Sequence, residues 1–591
     1  MTCIQSGELR QALLVQLYAP KSDGKLASRN YLLLLVATFV LLLKSYDPVF
    51  SPVIGALDPW GLVVQTRQLL ATGQLDPFWA NTGYPPTYLF VITAIASLGI
   101  DAYDVLRYIP IISTLCVVPI YLLMFEIFES RTVAAITALL TVTTRWYFMR
   151  TSVGIPEALS QILFVFMLYY ALKSLKAERR VDQACAAMFM AATILCYHFT
   201  MVILAVFLAL LFFFVRFGKR MRDLRVLGSI VIPAVLFGGI VWFFWVIDPI
   251  IRTYFIAKFI DYQAPQVGAS LLGVLYLLGY SVGKFGARTI GLLGYVMVIL
   301  ALLGLASLLV SQKAGKTMRR EHGFLAVYLA SLTLLAFVLE TWYNATGMAG
   351  TGASRIYVFS WLAMPVAAFA GQAIVTVSGL LQTAMTRTFR VVSDKRLLRV
   401  VLVSVTVFTC LMNLSAINYY KAWSGKGVGL LESHYYVKYM TDDEYRALEY
   451  VQKNTPRDSI VLTVGVENGI LGLQAVVSRR TMISIRNLVD EGKVVIADVG
   501  VVYLDLSSSN MTGVVISFGA SKGQYVYFIS GIKKVSEDIV LKGGSPPLKK
   551  TLMENMLTNK IVCFQESECV YRNDQVVVWR SPYIAIQLDQ T

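Results

Sequence analysis

The chain has 591 residues, of which 57% are hydrophobic and only 15% are charged. Ordinary globular domains carry about 25% charged residues, so the composition excludes that class and indicates a polytopic membrane protein. The formal net charge of +16 does not indicate a nucleic-acid partner, because most lysines and arginines cluster in short loops between apolar segments. That distribution is typical of membrane orientation.

Most of the chain consists of apolar segments, and a membrane crossing needs roughly 20 such residues. Eleven segments qualify: 30–46, 104–127, 131–148, 156–173, 183–197, 198–216, 226–247, 287–311, 322–340, 355–381 and 397–417. Two shorter or glycine-broken runs, 86–100 and 269–283, fit membrane-embedded hairpins or surface helices as well as crossings. We therefore expect eleven to thirteen spans.

The basic loops predict the orientation of these spans. If the N-terminal segment 1–29 is cytoplasmic, the basic clusters that begin at Lys173, Arg216, Lys313 and Arg387 all lie on the cytoplasmic side. The opposite surface then receives a long first loop, three shorter segments and the C-terminal region, which are residues 47–103, 149–156, 248–286, 341–354 and 418–591. We expect a multi-pass protein of the cell membrane, or of the endoplasmic reticulum membrane in a eukaryotic cell.

The C-terminal region 418–591 differs in pattern from the membrane domain 30–417. The stretch 441–454 is amphipathic and predicts a helix, and short β-rich runs then alternate with Gly and Ser turns. This pattern predicts a small extracytoplasmic α/β domain. Within it, Cys563 and Cys569 have a spacing that suits a hairpin closed by a disulfide in an oxidising compartment.

Two carboxylates stand at the starts of apolar or helical runs on the predicted outer side. Asp58 precedes Pro59 in the first loop, whose length of about 60 residues is typical of functional loops, and Glu157 follows Pro156. Each is explained structurally as a helix N-cap or a first-turn acid that interacts with the helix dipole. The functional interpretation is that they converge on one divalent ion, since hard cations prefer oxygen ligands.

A cation completes this set of candidate residues. Arg355 follows the glycine-rich stretch 344–354 at the outer entry of a span. An arginine there is costly unless it snorkels to the interface or pairs with an anion. Snorkelling is the structural interpretation, and binding of an isoprenoid phosphate or pyrophosphate is the functional one.

Three short motifs resemble a known superfamily. Asp58-Pro59-Trp60 lies soon after the first span, Tyr84-Pro85-Pro86 leads a helix, and Arg150-Thr151-Ser152-Val153-Gly154 precedes an acidic residue. Together they resemble the GT-C superfamily of membrane glycosyltransferases, in particular the catalytic subunit of oligosaccharyltransferase in its archaeal forms. The stretch 445–462 resembles the segment before that family's acceptor-recognition motif, but residues 463–469 replace the Trp-Trp-Asp-Tyr-Gly sequence itself.

The resemblance implies roles for the candidate residues. Asp58 is expected to bind a divalent metal such as Mg²⁺ or Mn²⁺ and to contact the acceptor, Glu157 to complete the catalytic and metal site, and Arg355 and Arg150 to bind the donor phosphate. The implied reaction is an inverting transfer of a sugar or glycan from a polyprenyl, dolichyl-type phosphate or pyrophosphate. The acceptor is a protein, glycan or lipid on the extracytoplasmic face. A metal-independent variant, in which Asp58 is a general base, stays open.

Two other functions are alternatives to this general activity. One is oligosaccharyltransferase proper, which glycosylates protein asparagines. The other, from a different class, is a transporter or a non-catalytic membrane assembly protein. Transporters usually have ionisable mid-membrane sites and internal repeats, whereas the acidic residues here cluster at the predicted outer surface and no repeat is visible in the sequence.

Overall fold

We describe the protein from a computed structural model. It describes residues 31–50, 54, 58–74, 87–197, 199–217, 221–246, 271–313, 320–346, 349–389, 395–415 and 442–454, and ten strands between 460 and 587. The predicted cytoplasmic segment 1–29 lies outside the described residues, as does much of the first loop.

The described part of the chain up to residue 454 is helical. Its helices are α1 Tyr31–Phe50, α2 Asp58–Thr72, α3 Thr87–Ala96, α4 Ala102–Ile112, α5 Val117–Phe128, α6 Arg131–Thr143, α7 Arg145–Thr151, α8 Pro156–Ala177, α9 Arg180–Cys196, α10 Phe199–Phe217, α11 Met221–Val246, α12 Leu271–Leu293, α13 Tyr295–Lys313, α14 Arg320–Thr346, α15 Ala349–Phe389, α16 Lys395–Ser415 and α17 Asp442–Asn454. A 3₁₀ turn, Ser113–Cys116, joins α4 to α5.

Every predicted apolar segment coincides with helix, so the polytopic helical fold is confirmed. By length and composition alone, six of the described helical stretches are able to cross a membrane, or seven if one bent pair is a single span, and four shorter apolar helices accompany them. The helix α3 has 10 residues and a length of about 15 Å. It is therefore too short to cross a hydrocarbon core of about 30 Å, and run 86–100 is a short helix.

Two predicted spans have wrong boundaries. Segment 287–311 is interrupted by Gly294, which has φ +89° and separates two helices that bend by 105°. The start of this segment therefore belongs to α12, which also contains most of the run 269–283. Segment 131–148 is also two helices, since Thr144 has extended backbone angles between α6 and α7. Hydropathy does not reveal either break, because apolar residues continue through both of them.

The helix α15 lies at the centre of the bundle. Most of the stretch Val358–Gly379 is buried inside the protein, and its small residues permit close approach of neighbours. A Cβ added at Gly304 of α13 would lie only 2.0 Å from the Phe369 carbonyl oxygen, and one added at Gly371 would lie 2.8 Å from Thr137 Oγ1. Such contacts fix the positions of α13 and α6 against α15, because these glycines tolerate no side chain.

Ion pairs connect the helix ends and turns at one end of the bundle. Lys176 at the end of α8 forms ion pairs with Glu126 of α5 at 2.9 Å and with Glu321 of α14 at 3.3 Å. Arg222 of α11 pairs with Glu178 in the turn between α8 and α9. The other end carries the first loop and the turn between α7 and α8. We call these the basic-loop end and the first-loop end.

The described residues from 442 onward form one helix and short strands. The strands are β1 Ile460–Val464, β2 Thr481–Ser484, β3 Val495–Ala497, β4 Gly500–Val502, β5 Val515–Gly519, β6 Val526–Gly531, β7 Val562–Cys563, β8 Glu568–Arg572, β9 Val576–Ser581 and β10 Tyr583–Gln587. They form a five-stranded sheet in the order β2-β1-β6-β9-β8, a three-stranded sheet β5-β10-β7 and the pair β3-β4. The predicted α/β character is therefore confirmed.

The predicted cysteine hairpin does not form in this arrangement. Cys563 lies opposite Ala585 in the three-stranded sheet, whereas Cys569 lies opposite Trp579 in the five-stranded sheet. The strand of Cys563, β7, pairs with β10, and the strand of Cys569, β8, pairs with β9. The two cysteines therefore lie in different sheets. The two cysteine side chains lie outside the described side chains, so the disulfide stays a prediction.

The helix α17 packs against the first loop. The ring of Tyr445 stacks on Tyr103 of α4 with centroids 5.6 Å apart, and Tyr103 contacts Trp60 of α2, also at 5.6 Å. Ala447, Leu448 and Val451 are buried in the same apolar cluster. The C-terminal domain and the first loop therefore lie at the same end of the bundle.

Candidate functional site

The turn between α7 and α8 carries two of the predicted site residues. Arg150 lies in the last turn of α7, and α8 begins at Pro156 with Glu157 in its first turn. Proline at the first helical position loses no hydrogen bond and sets the helical φ, which explains why α8 begins there. The intervening residues reverse the chain, so the two side chains face each other.

Arg150 and Glu157 form a buried ion pair. Arg150 Nε donates to Glu157 Oε2 at 2.5 Å, and Arg150 Nη2 donates to the same oxygen. The two residues are 5% and 0% exposed, so water screens the pair little. A buried pair of this kind forms only where both charges find partners, because an unpaired charge is very costly in such a place.

The second carboxylate oxygen of Glu157 is also bound. Gln161, one helical turn later on α8, donates from Nε2 to Glu157 Oε1 at 3.1 Å and to Ser360 Oγ at 2.9 Å. Ser360 of α15 in turn donates from its hydroxyl to Glu157 Oε1. The carboxylate therefore links the turn that bears Arg150 to the central helix.

This arrangement does not fit the prediction that Glu157 is a metal ligand. Both carboxylate oxygens accept hydrogen bonds from side chains, and a divalent ion would have to displace these donors. The physical reason is the arginine seven residues earlier, which takes the carboxylate as its own partner. Glu157 instead accepts two hydrogen bonds from Arg150.

Helix α4, which follows the first loop, contacts the α7–α8 turn directly. A Cβ added at Gly154 would lie 3.0 Å from Leu106 Cδ2 and 3.1 Å from the Leu106 carbonyl oxygen of α4. This carbonyl lies four residues before Pro110, which has no N–H to donate to it. Close packing at Gly154 therefore holds the α7–α8 turn against α4.

Asp58 is the first residue of α2, as its Asp-Pro sequence predicts. Two residues later, Trp60 is buried and its ring contacts Tyr103 on α4. The Asp58 side chain lies outside the described side chains, so its reach toward Glu157 stays a prediction. The ring contact of Trp60 with Tyr103 and the packing of Leu106 of α4 against Gly154 bring the start of α2 to the end of the bundle that holds Arg150.

Arg355 lies in α15, five residues before Ser360. At 1.5 Å per residue the two positions are about 7.5 Å apart along the helix axis. The Arg355 side chain lies outside the described side chains. Its backbone is nevertheless near the Arg150–Glu157 pair, because Ser360 donates directly to Glu157.

Three residues of this site have no role in the sequence interpretation. Gln161 and Ser360 are ordinary polar residues whose partners come from distant helices, and nothing local marks them. Lys44 does carry a signal, since it interrupts the apolar stretch of α1, and an ionisable residue within a span is a functional-site candidate. It is 2% exposed and bonds to Thr151.

Solved structures share this fold. ArnT from Cupriavidus metallidurans bound to undecaprenyl phosphate aligns with 94% of this chain and 98% of its own at 13% identity and a TM-score of 0.53. The Archaeoglobus fulgidus oligosaccharyltransferase tethered with an acceptor peptide containing the NVT sequon aligns at 15% identity and a TM-score of 0.51, over 86% and 70% of the two chains. The chain shares the fold of these two structures, so the predicted resemblance is confirmed at the level of fold.

A further complex of the archaeal enzyme, AglB with an inhibitory peptide and a dolichol-phosphate, aligns at 15% identity and a TM-score of 0.49. This match covers 77% of the chain but 64% of AglB, so the chain spans less than two thirds of that protein. Another structure of the same enzyme is a complex with Zn and sulfate. No protein-family model and no curated protein sequence matches the chain.

Proposed function

We propose that the chain is a membrane glycosyltransferase that uses a polyprenyl phosphate or pyrophosphate as sugar donor. The observation that carries this proposal is the buried Arg150–Glu157 pair, since a guanidinium in a dry site is suited to phosphate recognition. Glu157 and Gln161 hold it at the junction of the first loop and α15. The likeness to ArnT over 98% of that chain supports the same class, because that structure contains undecaprenyl phosphate.

The proposed reaction is a single displacement. An acceptor hydroxyl or amide attacks the anomeric carbon, Asp58 takes its proton, and the bond from the anomeric carbon to the phosphate oxygen breaks. Negative charge then develops on the departing phosphate, where Arg355 and Arg150 stabilise it. Displacement from the opposite face inverts the anomeric centre. In this scheme Glu157 is a positioning residue, because it contacts Arg150 and not the reacting atoms.

Asp58 is the only residue for which we propose metal binding. A divalent ion bound there would neutralise the donor phosphate or orient the acceptor, and the proposed steps do not require it. If Asp58 binds such an ion, addition of EDTA abolishes transfer and Mn²⁺ restores it. If Asp58 is only a general base, EDTA leaves the rate unchanged and the pH–rate profile of the Asp58→Asn variant loses its acidic limb.

The acceptor lies on the extracytoplasmic face in this proposal, as the positive-charge pattern predicts. Protein asparagine is the alternative acceptor, supported by the fold likeness to the oligosaccharyltransferase with a tethered NVT peptide. The absence of the Trp-Trp-Asp-Tyr-Gly sequence weakens that alternative. Glycosylation of sequon peptides by the purified protein would establish it.

Transfer by the full-length chain in proteoliposomes tests the proposal. The donors are labelled polyprenyl-phosphate sugars and pyrophosphate glycans from native lipid extracts, and the acceptors are sequon peptides, glycans and lipids of the same membrane. We expect the Asp58→Asn variant to lose about 10²–10⁴-fold in rate. We expect Arg355→Met and Arg150→Met to lose about 10²–10³-fold each.

The first loop offers matched controls. Arg67 and Asp101 form an exposed ion pair at 2.8 Å on the same loop, and Asn still caps a helix well. Arg67→Met and Asp101→Asn are therefore expected to retain transfer within about twofold, since exposed pairs contribute little. Full activity of Asp58→Asn would overturn the catalytic assignment. Movement of an unmodified sugar lipid or solute, with no transfer, would instead indicate the transporter class.

A further inference from the structure

Lys44 is a buried cation without a role in the proposed reaction. Its ammonium group donates to Ser113 Oγ at 2.7 Å, to the Thr151 carbonyl oxygen at 3.1 Å and to Thr151 Oγ1 at 2.5 Å. It also lies over the Phe148 ring, 5.8 Å from the centroid. All three of its N–H donors are thus used, and they bind neutral oxygens.

No carboxylate of the described residues pairs with Lys44. The nearby Arg150 is compensated by Glu157, so these three residues together carry one net positive charge in a buried place. Such a charge has a large desolvation cost, and an apolar side chain of the same length would avoid it. The Thr151 carbonyl at the end of α7 offsets part of this cost, because helix C-termini attract cations. Stability alone therefore does not explain a lysine here.

The contacts of Lys44 connect three elements. Ser113 lies in the 3₁₀ turn after Pro110 of α4, and its hydroxyl is also 2.7 Å from the Thr151 carbonyl oxygen. Thr151 directly follows Arg150 at the end of α7. The ammonium group thereby fixes the last turn of α7 against α1 and the 3₁₀ turn that follows α4. Any rotation of that turn moves Arg150.

We propose that Lys44 is a positioning residue for donor binding: it holds Arg150 through Thr151 and supplies the uncompensated charge that favours an anionic lipid phosphate at the first-loop end. This inference rests on the proposed function. The Lys44 donors are occupied by protein oxygens, so the ammonium acts on the phosphate through Arg150 and through its charge, without contacting the lipid.

Binding of two lipids that differ only in charge tests this role. The full-length chain in nanodiscs is titrated with undecaprenyl phosphate and with uncharged undecaprenol. For Lys44→Met we expect the Kd for undecaprenyl phosphate to rise about tenfold, a change of about 1.4 kcal/mol, and the Kd for undecaprenol to stay unchanged. Lys44→Arg keeps the charge and is expected to restore part of the affinity.

A double-mutant cycle with Arg150→Met tests whether Lys44 acts through Arg150. We expect the effect of Lys44→Met to shrink to about threefold or less in the Arg150→Met background, because coupled residues are not additive. Thr151→Val removes one hydrogen-bond acceptor of Lys44 and keeps the charge of Lys44. It therefore replaces Lys44→Met in this test if Lys44→Met does not fold. We expect Thr151→Val to raise the Kd for undecaprenyl phosphate about threefold when Arg150 is present. In the Arg150→Met background we expect no change.

Lys176→Met at the basic-loop end is the control, because it removes another partly buried lysine from its ion pairs without touching Arg150. It is expected to leave both Kd values unchanged. Equal losses for the phosphate and the alcohol, or additive effects in the cycle, overturn the role of Lys44. If Arg150→Met itself does not weaken phosphate binding, the proposed donor site is wrong. If Arg150→Met weakens binding and Lys44→Met does not, only the inference about Lys44 fails.

Discussion

The two ends of the helical bundle both carry ion pairs, but water reaches them differently. At the basic-loop end, the Lys176 and Glu126 side chains are 24% and 25% exposed. At the first-loop end, the Arg150 and Glu157 side chains are 6% and 1% exposed. Exposed pairs contribute about 0–1 kcal/mol, whereas a buried pair is often less stabilising than apolar residues of the same volume.

The contrast indicates that stability does not explain the buried charges at the first-loop end. Lys176, Glu126 and Glu321 connect turns that are also basic enough to orient the protein, and water reaches their partly exposed charges. At the first-loop end, by contrast, Lys44, Arg150 and Glu157 are buried together at a net charge of +1. The proposed phosphate site accounts for these buried charges, whereas their contribution to stability does not.

The largest expected effect comes from breaking the buried pair. Glu157→Ala leaves the Arg150 guanidinium without its carboxylate, so we expect the free energy of unfolding to fall by about 3–5 kcal/mol. The measurement is unfolding of the purified protein in mixed micelles, followed by tryptophan fluorescence. Transfer activity is expected to be lost as well.

The double variant Arg150→Met/Glu157→Leu separates stability from function. Two apolar side chains remove the buried charges together, so stability is expected to return to within about 1 kcal/mol of the natural chain, while transfer stays lost. Recovered transfer in this stable variant would show that the pair is structural only, and the two ends of the bundle would then be equivalent.

The next effect concerns the contact between α4 and the α7–α8 turn. Gly154→Val places new atoms against Leu106 of α4, where a Cβ alone would already lie 3.0 Å from a side-chain carbon. We expect a loss of about 1–3 kcal/mol and a reduced rate of transfer. Gly61→Ala is the control, since a Cβ there meets nothing within 4 Å; equal loss in both variants would contradict this seating of the turn.

A smaller effect concerns Tyr445 at the contact between α17 and the first loop. Burial and the nearby Glu449 raise the pKa of Tyr445 above the ordinary value of about 10. The neutral phenol of Tyr445 therefore contributes its full stabilisation of the folded state below about pH 10. This contribution is lost as the pH rises through the folded pKa. We expect protease cleavage between the membrane and C-terminal domains to increase above about pH 10. The increase should be weaker in Tyr445→Phe, and an identical pH profile in the two proteins would contradict the interpretation.

The smallest effect is expected at the basic-loop end. Lys176→Met removes two partly exposed ion pairs, so the free energy of unfolding is expected to change by about 1 kcal/mol or less, with transfer unchanged. A loss as large as that of Glu157→Ala, in the same unfolding measurement, would abolish the distinction between the two ends.

Helix positions were largely predictable because hydrophobic periodicity and length are local properties of the sequence. The starts of α2 at Asp58 and of α8 at Pro156 follow from the Asp-Pro and Pro signals. The break at Gly294 was missed, because the same residues form one long apolar run whether the helix is straight or bends by 105°.

The sequence by itself determined a polytopic helical membrane protein and the GT-C resemblance, and it predicted Arg150 and Glu157 as candidate site residues. Only the tertiary structure decided that these two residues bind each other, that Ser360 and Gln161 take the other carboxylate oxygen, and that Lys44 bonds to Thr151. The reason is physical: hydropathy and capping depend on neighbours along the chain, whereas a buried charge takes whichever partner the packing of distant helices brings within hydrogen-bond distance.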